Sequence, residues 1–159
     1  MRTEAELNAL RKVNLGSGIN QGAEYINVDL RAECEPDVVA DVRKLPFPDG
    51  RFDYVYSSHT LEHISHLETR ETIKEWLRVL TRAGMIKINV PNLLYAVENI
   101  DKDYGTALCV MYGAQDYELN FHKTGFTPNY LKMLLEEQGV EVTKVFTGGY
   151  DLVVEGVKK

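Results

Sequence analysis

The chain has 159 residues, 44% hydrophobic and 26% charged, a size and balance that suit one globular domain around one core. A formal net charge of −6 lacks the basic footprint of a phosphate-backbone binder and disfavours nucleic acid as a partner. No apolar run approaches the roughly 18 residues that cross a membrane, and residues 1–11 lack an apolar leader core. The two cysteines, Cys34 and Cys109, are too few for a disulfide framework. A reducing cytoplasm is therefore expected, with both thiols as buried small hydrophobes.

Seven strands are predicted, at Lys12–Leu15, Tyr25–Asp29, Val38–Ala40, Phe52–Tyr56, Met85–Val90, Val140–Phe146 and Leu152–Val157. Between the fourth and fifth, Glu68–Leu80 reads as a helix with Ile73, Trp76, Leu77 and Leu80 on one stripe. A second helix starts at Thr127 as N-cap with Pro128 next, turns Leu131, Leu134 and Leu135 inward, and ends at Gly139. Strands alternating with helices imply an α/β fold with a mostly parallel sheet and helices on both faces. Only residues 147–150 separate the last two strands, too few for a parallel crossover, so the C-terminal strand is expected to run antiparallel. Ligands of such open sheets bind beyond the carboxyl ends of the strands.

The first motif, Val13-Asn14-Leu15-Gly16-Ser17-Gly18, runs a strand into a glycine turn that lets backbone approach a ligand closely. The third glycine of a dinucleotide fingerprint is out of place: that position holds Gln21, and the glycine is Gly22. Residues 17–24 are also too few for the helix whose N-terminus would cradle a pyrophosphate. The second motif, Val28-Asp29-Leu30, ends a strand on an acid able to accept from both hydroxyls of a ribose, or simply to cap its loop. The third, Ala40-Asp41-Val42, offers a carboxylate for an adenine amino group and the Val42 amide for a ring nitrogen; a plain turn cap is the alternative.

The segment Phe52-Asp53-Tyr54-Val55-Tyr56-Ser57-Ser58-His59-Thr60-Leu61-Glu62-His63 makes a resemblance specific. Gly16-Ser17-Gly18, Asp29, Asp41 and this strand with its Leu-Glu-His tail resemble, in order and spacing, small class I S-adenosylmethionine-dependent methyltransferases. Trp76–Leu80 followed by Met85–Pro91 is similar to that family's helix into strand five. A short subgroup often encoded beside polysaccharide-biosynthesis genes is most similar, its further motifs matching Gly113, Gln115, His122, Gly125 and Phe126. The resemblance covers nearly the whole chain. It implies a Rossmann-like fold and S-adenosyl-L-methionine as cofactor, a ligand without phosphate. It places that cofactor on Gly16, Ser17, Gly18, Asp29, Leu30, Asp41, Val42 and Ser57. The chain departs from the family at Ser17, Arg82-Ala83-Gly84 and Gly113-Ala114, and in the missing helix after strand one. The cofactor's methionine end is thereby less enclosed; a homo-oligomer could supply the cover.

The Asn/Asp-Pro-Pro-aromatic signature of amino-group methyltransferases is absent after strand four, where Ser57-Ser58-His59-Thr60 stands, and no Pro-Cys nucleophile exists. A small-molecule acceptor is therefore expected, such as a sugar or polysaccharide-precursor hydroxyl. Residues 92–126, long for a connection and rich in aromatics, are expected to form a lid over it. His122 is the first candidate for general base, oriented by Asp116, and His59 the second. Two other readings compete. One is a catalytically inactive cofactor-binding module of a larger complex. The other is a zinc hydrolase, because His59-Thr60-Leu61-Glu62-His63 spells H-x-x-E-H. A five-residue match inside a longer pattern carries little weight, and no metal is expected.

Overall fold

The computed structural model describes residues 2–159. The N-terminal helix α1 (Glu4–Ala9) is closed by a capping box: Glu6 N donates to the Thr3 hydroxyl at 3.3 Å and Thr3 N donates to the Glu6 carboxylate at 2.7 Å. Strands β1 (Lys12–Leu15), β2 (Ile26–Asp29) and β3 (Val38–Val39) follow with no α-helix between them. Then come β4 (Phe52–Ser58), helix α2 (Thr69–Val79) and β5 (Leu80–Pro91). Helices α3 (Leu93–Asn99), α4 (Tyr104–Tyr112) and α5 (Pro128–Glu136) precede the final hairpin, β6 (Val140–Gly148) and β7 (Asp151–Lys158).

All seven strands join one sheet in the order β3-β2-β1-β4-β5-β7-β6. Pairs from β3 through β5 are parallel, and β7 lies antiparallel between β5 and β6. This is the expected mostly parallel sheet with its reversed C-terminal strand. The order reverses beside β1 and β4, which opens a crevice beyond the carboxyl ends of the strands.

On one face the buried residues Val13, Leu15, Ile26, Val28, Val55, Ile86, Ile88 and Val154 pack with α2 and α5. Ile73, Trp76 and Leu77 of α2 and Leu131, Leu134 and Leu135 of α5 are the matching stripe. Trp76 buries its ring and donates its indole N–H to the Val42 carbonyl at 3.0 Å, so the one polar atom of a large core residue is satisfied. The alternate positions are wetter: Lys12, Tyr54, Tyr56 and Lys87, the last paired with Glu155 at 3.2 Å.

Two expectations need correction. Strand β5 begins at Leu80, not Met85, because α2 passes directly into the sheet and Leu80 already pairs with Phe52. The thiols are not buried: Cys34 is half-exposed in the turn after β2, and Cys109 is exposed on α4.

Helices α3 and α4 pack on each other through Ala96, Ala107 and Val110, a small core separate from the main one. Asn92 caps α3 and Asp103 caps α4, each side chain accepting from a backbone N–H of its helix. No helix among the described residues is long and apolar enough to cross a membrane.

Candidate active site

The turn after β1 supplies the floor of a cleft. Gly16 and Ser17 N–H groups both donate to the Val28 carbonyl, at 2.8 and 2.9 Å, which folds the chain back over the end of β2. Gly16 has φ +69°, and a Cβ there would lie 2.1 Å from the Thr60 hydroxyl. Only glycine fits this close approach between the β1 turn and the end of β4.

Asp29 ends β2 with its carboxylate almost fully covered. One oxygen accepts from Gly18 N at 2.7 Å, the other from Arg31 N at 2.9 Å and Arg31 Nε at 3.3 Å. Arg31 in turn lies over the Tyr117 ring, 5.0 Å from its centroid. Asp41 is held more tightly. Arg43 binds both its oxygens, at 2.7–3.1 Å, and reaches on to Glu68 at 3.0 Å. The Arg43 guanidinium holds the Asp41 carboxyl below its ordinary range.

These residues line one cleft of about 830 Å³ including its open mouth, with Gly16, Leu30, Val42, His59, His63 and Lys123 along its wall. Three residues expected on the cofactor do not line it. Ser57 is buried and donates its hydroxyl to the Leu15 carbonyl at 3.1 Å. Ser17 is also buried, and Gly18 donates its N–H to Asp29 while its carbonyl accepts from Gln21 Nε2 at 3.3 Å.

A second pocket opens on the lid side, lined by His59, Pro91, Thr106, Cys109, Val110, His122 and Tyr150. His59 is the one residue shared by the two linings. It has φ +51° at the end of β4, and its N–H donates to the Asn89 carbonyl at 2.9 Å. Its ring Nε2 lies 3.0 Å from Asp151 and its Nδ1 lies 3.4 Å from Glu62. The Glu62 carboxylate and then Asp151 raise its pKa above the ordinary histidine value, against a smaller loss from burial.

His122 reaches the same place from the lid. Gly113, φ +80°, ends α4 where a Cβ would lie 2.2 Å from the Asn120 carbonyl, so the returning chain packs directly on the helix end. His122 N then donates to the Tyr112 carbonyl at 3.1 Å. The ring Nδ1 faces the Val110 carbonyl at 2.9 Å, and burial pushes the imidazole pKa down. Contrary to the expectation from sequence, Asp116 does not orient it; that carboxylate accepts from the Asn120 side chain at 2.5 Å. A carbonyl one helical turn back in α4 does the work instead.

The 3₁₀ turn Leu61–His63 holds Glu62, the acid of the H-x-x-E-H spacing, where the zinc-hydrolase reading makes it a base. Glu62 is 1% exposed. Its backbone carbonyl accepts from Lys123 N and Thr124 N at 2.7 and 3.1 Å, which docks the lid's return strand onto the β4 tail. His63 Nδ1 faces the Phe121 carbonyl at 3.1 Å, and the Thr124 hydroxyl donates to the Ile64 carbonyl at 2.7 Å. The H-x-x-E-H spacing was the available signal for Glu62; that His122 of the lid comes to lie beside it was not.

Residues 11–88 match the profile of a family described as a methyltransferase domain. Comparison with curated proteins finds no match. Solved structures share the fold. A methyltransferase dependent on S-adenosylmethionine from Archaeoglobus fulgidus is similar at a TM-score of 0.69 and 19% identity, over 97% of this chain and 89% of that one. One from Thermotoga maritima is similar at 0.68 and 18%, over 94% and 82%. The 1,6-didemethyltoxoflavin-N1-methyltransferase of Burkholderia thailandensis, solved with its substrate and S-adenosylhomocysteine, is similar at 0.65 and 15%, over 93% and 70%.

Proposed function

We propose, for a chain that belongs to the class I S-adenosylmethionine-dependent methyltransferases, that the acceptor is a small-molecule hydroxyl entering from the lid pocket and meeting the cofactor at His59. The cofactor is S-adenosylmethionine, which supplies an electrophilic methyl group on a sulfonium. The cleft suits it. Asp29 keeps part of its acceptor capacity, since a carboxylate has about four lone-pair sites and three donors occupy it here. Asp29 would hold the ribose hydroxyls, the second once the Arg31 Nε–H gives up its place on the carboxylate. Asp41 and the Val42 amide would meet the adenine, with the Arg43 guanidinium moving off the Asp41 carboxylate. The turn at Gly16 has no helix N-terminus for a phosphate and needs none.

The observation that carries the acceptor assignment is the position of His59 in both linings. In the transfer, the methyl–sulfur bond breaks as the oxygen–methyl bond forms, the electron pair stays on sulfur, and the hydroxyl proton must leave. Asp151 faces Nε2 of His59 at 3.0 Å and would fix the ring's orientation; Nδ1, which lies 3.4 Å from Glu62, is the nitrogen that would take that proton. His122 walls the acceptor side of the same pocket. The α3–α4 pair and residues 113–126 would act as the lid that excludes water. Tyr150 lines it and has the Tyr95 ring beside it, centroids 6.4 Å apart; such rings suit the apolar face of a sugar, and a sugar or polysaccharide-precursor hydroxyl is the acceptor class that fits. Two accessible free thiols fit a reducing, cytoplasmic setting.

The test is turnover with a panel of sugar hydroxyl acceptors. His59→Asn should keep fold and S-adenosylhomocysteine affinity while losing about 10²–10⁴-fold in rate. Full turnover by that variant would remove His59 from the reaction.

A further inference from the structure

Glu62 presents a chemical problem inside the site. Its side chain is 1% exposed, and neither carboxylate oxygen has a hydrogen-bond partner. The nearest cationic candidates are histidines: His59 Nδ1 at 3.4 Å, without hydrogen-bond alignment, and His63 Nε2 at 4.0 Å. A carboxylate removed from water without donors either takes up a proton or acquires a cation.

The surrounding imidazoles are set for a cation. His63 spends Nδ1 on the Phe121 carbonyl, and His122 spends Nδ1 on the Val110 carbonyl. A carbonyl can only accept, so each Nδ1 carries the proton and each Nε2 presents a lone pair. One ligand atom each from Glu62, His63 and His122 lies within 4.8 Å of the others. His59 repeats the arrangement from the cleft side, with Nε2 on Asp151 and Nδ1 toward Glu62. Histidines that bind a metal through one nitrogen characteristically give the other N–H to a carbonyl or carboxylate, which fixes tautomer and ring orientation.

We propose that Glu62, His63 and His122 bind a divalent transition-metal cation at the junction of the cofactor cleft and the lid pocket. Two imidazoles and one carboxylate form a donor set for borderline cations such as Zn²⁺, Mn²⁺, Fe²⁺ or Co²⁺, and they leave coordination positions open. A cation there neutralises the buried carboxylate and faces the place assigned to the acceptor oxygen. It would bind that hydroxyl and lower its pKa, and His59 would take the released proton. The acceptor role rests on the reading of the preceding subsection; the binding of the cation does not. The five-residue H-x-x-E-H spacing was a poor guide because it names His59 and His63 as the pair. The structure pairs His63 with His122 instead and makes Glu62 a ligand.

The experiment is cobalt binding by the whole chain after treatment with a chelator, followed by calorimetry and by the visible absorption of bound Co²⁺. Wild-type protein should take up one equivalent and unfold at a higher temperature when loaded. His122→Ala and Glu62→Gln should each weaken uptake by at least about 100-fold, since even outer-shell partners are worth 10–100-fold. His122→Asn serves if the alanine variant misfolds. No saturable uptake by folded wild-type protein, or equal uptake by the variants, overturns the proposal. Co²⁺ uptake is read without turnover. Normal uptake in a protein whose His59→Asn variant turns over fully would sink the base assignment and leave the metal site standing.

Discussion

The imidazole of His59 bridges two carboxylates: Nε2 lies 3.0 Å from Asp151 at the start of β7, and Nδ1 lies 3.4 Å from Glu62 in the turn after β4. The hairpin that reverses the C-terminal strand thus delivers a carboxylate to the strand-end crevice. Asp151 pairs with Pro91 across β5, so the backbone register itself sets its position.

Asp151→Asn tests this relationship. The amide has the same shape and keeps the register, but it no longer offers the charge that orients the ring. The rate of methyl transfer should fall at least about tenfold while the KM for S-adenosylmethionine stays unchanged, measured by steady-state kinetics. A raised cofactor KM with an unchanged kcat would put Asp151 in binding instead.

Asp29→Asn tests the cofactor assignment. The neutral side chain keeps one oxygen acceptor but loses the charge. With hydrogen bonds to charged groups worth about 1.5–3 kcal/mol, affinity for S-adenosylmethionine should drop by about one to two orders of magnitude. Calorimetry reads this directly, and unchanged affinity means that the ribose lies elsewhere.

Much of this site was legible before any coordinates. The alternation of strands and helices gave the sheet, and the short link before Leu152 gave the reversed strand. Gly16, Asp29 and Asp41 were placed by their positions at strand ends, and all three line the cleft. What was not legible depends on contacts distant in sequence. Ser57 follows β4 alternation inward and spends its hydroxyl on Leu15. The partner of His122 is a helix carbonyl, not the nearer Asp116, because the Gly113 turn presses the return strand onto α4. Glu62, polar and unremarkable by type, has its carboxylate among His59, His63 and His122, the last brought in by the lid, whose Lys123 and Thr124 N–H groups dock on the Glu62 carbonyl. Arg31 and Arg43 occupy the two cleft carboxylates, which no local pattern announced.

Gly16→Ala tests the turn. The left-handed conformation alone costs about 1–3 kcal/mol for a residue with a side chain, and the clash with Thr60 adds to it. Thermal unfolding should shift down by several degrees, and the cofactor affinity should fall as well. Gly16→Ala with Thr60→Gly removes the clash and should recover part of the loss. No recovery would mean that backbone strain alone decides the position.

Acid stability has an identifiable contributor in Glu75. Its carboxylate accepts from Arg78 Nε at 2.7 Å and from Leu45 N at 2.7 Å, and the Arg78 guanidinium first, then the Leu45 amide, hold its pKa below the ordinary 4.5. A carboxyl depressed in the folded state contributes stability that is fully present above its unfolded value. That contribution is lost as the pH falls through the lowered folded value. Glu75→Gln should therefore melt below wild type at neutral pH, and the gap should close on acidification. A gap independent of pH would assign the effect to packing.

The most direct measurement is a crystal structure with S-adenosylhomocysteine bound. The account predicts the ribose hydroxyls on Asp29, the adenine beside Asp41 and Val42, and the sulfur turned toward His59, with the lid pocket open in front of it. A sulfur facing away from His59, or a nucleoside seated outside the Gly16–Asp29 cleft, would contradict it.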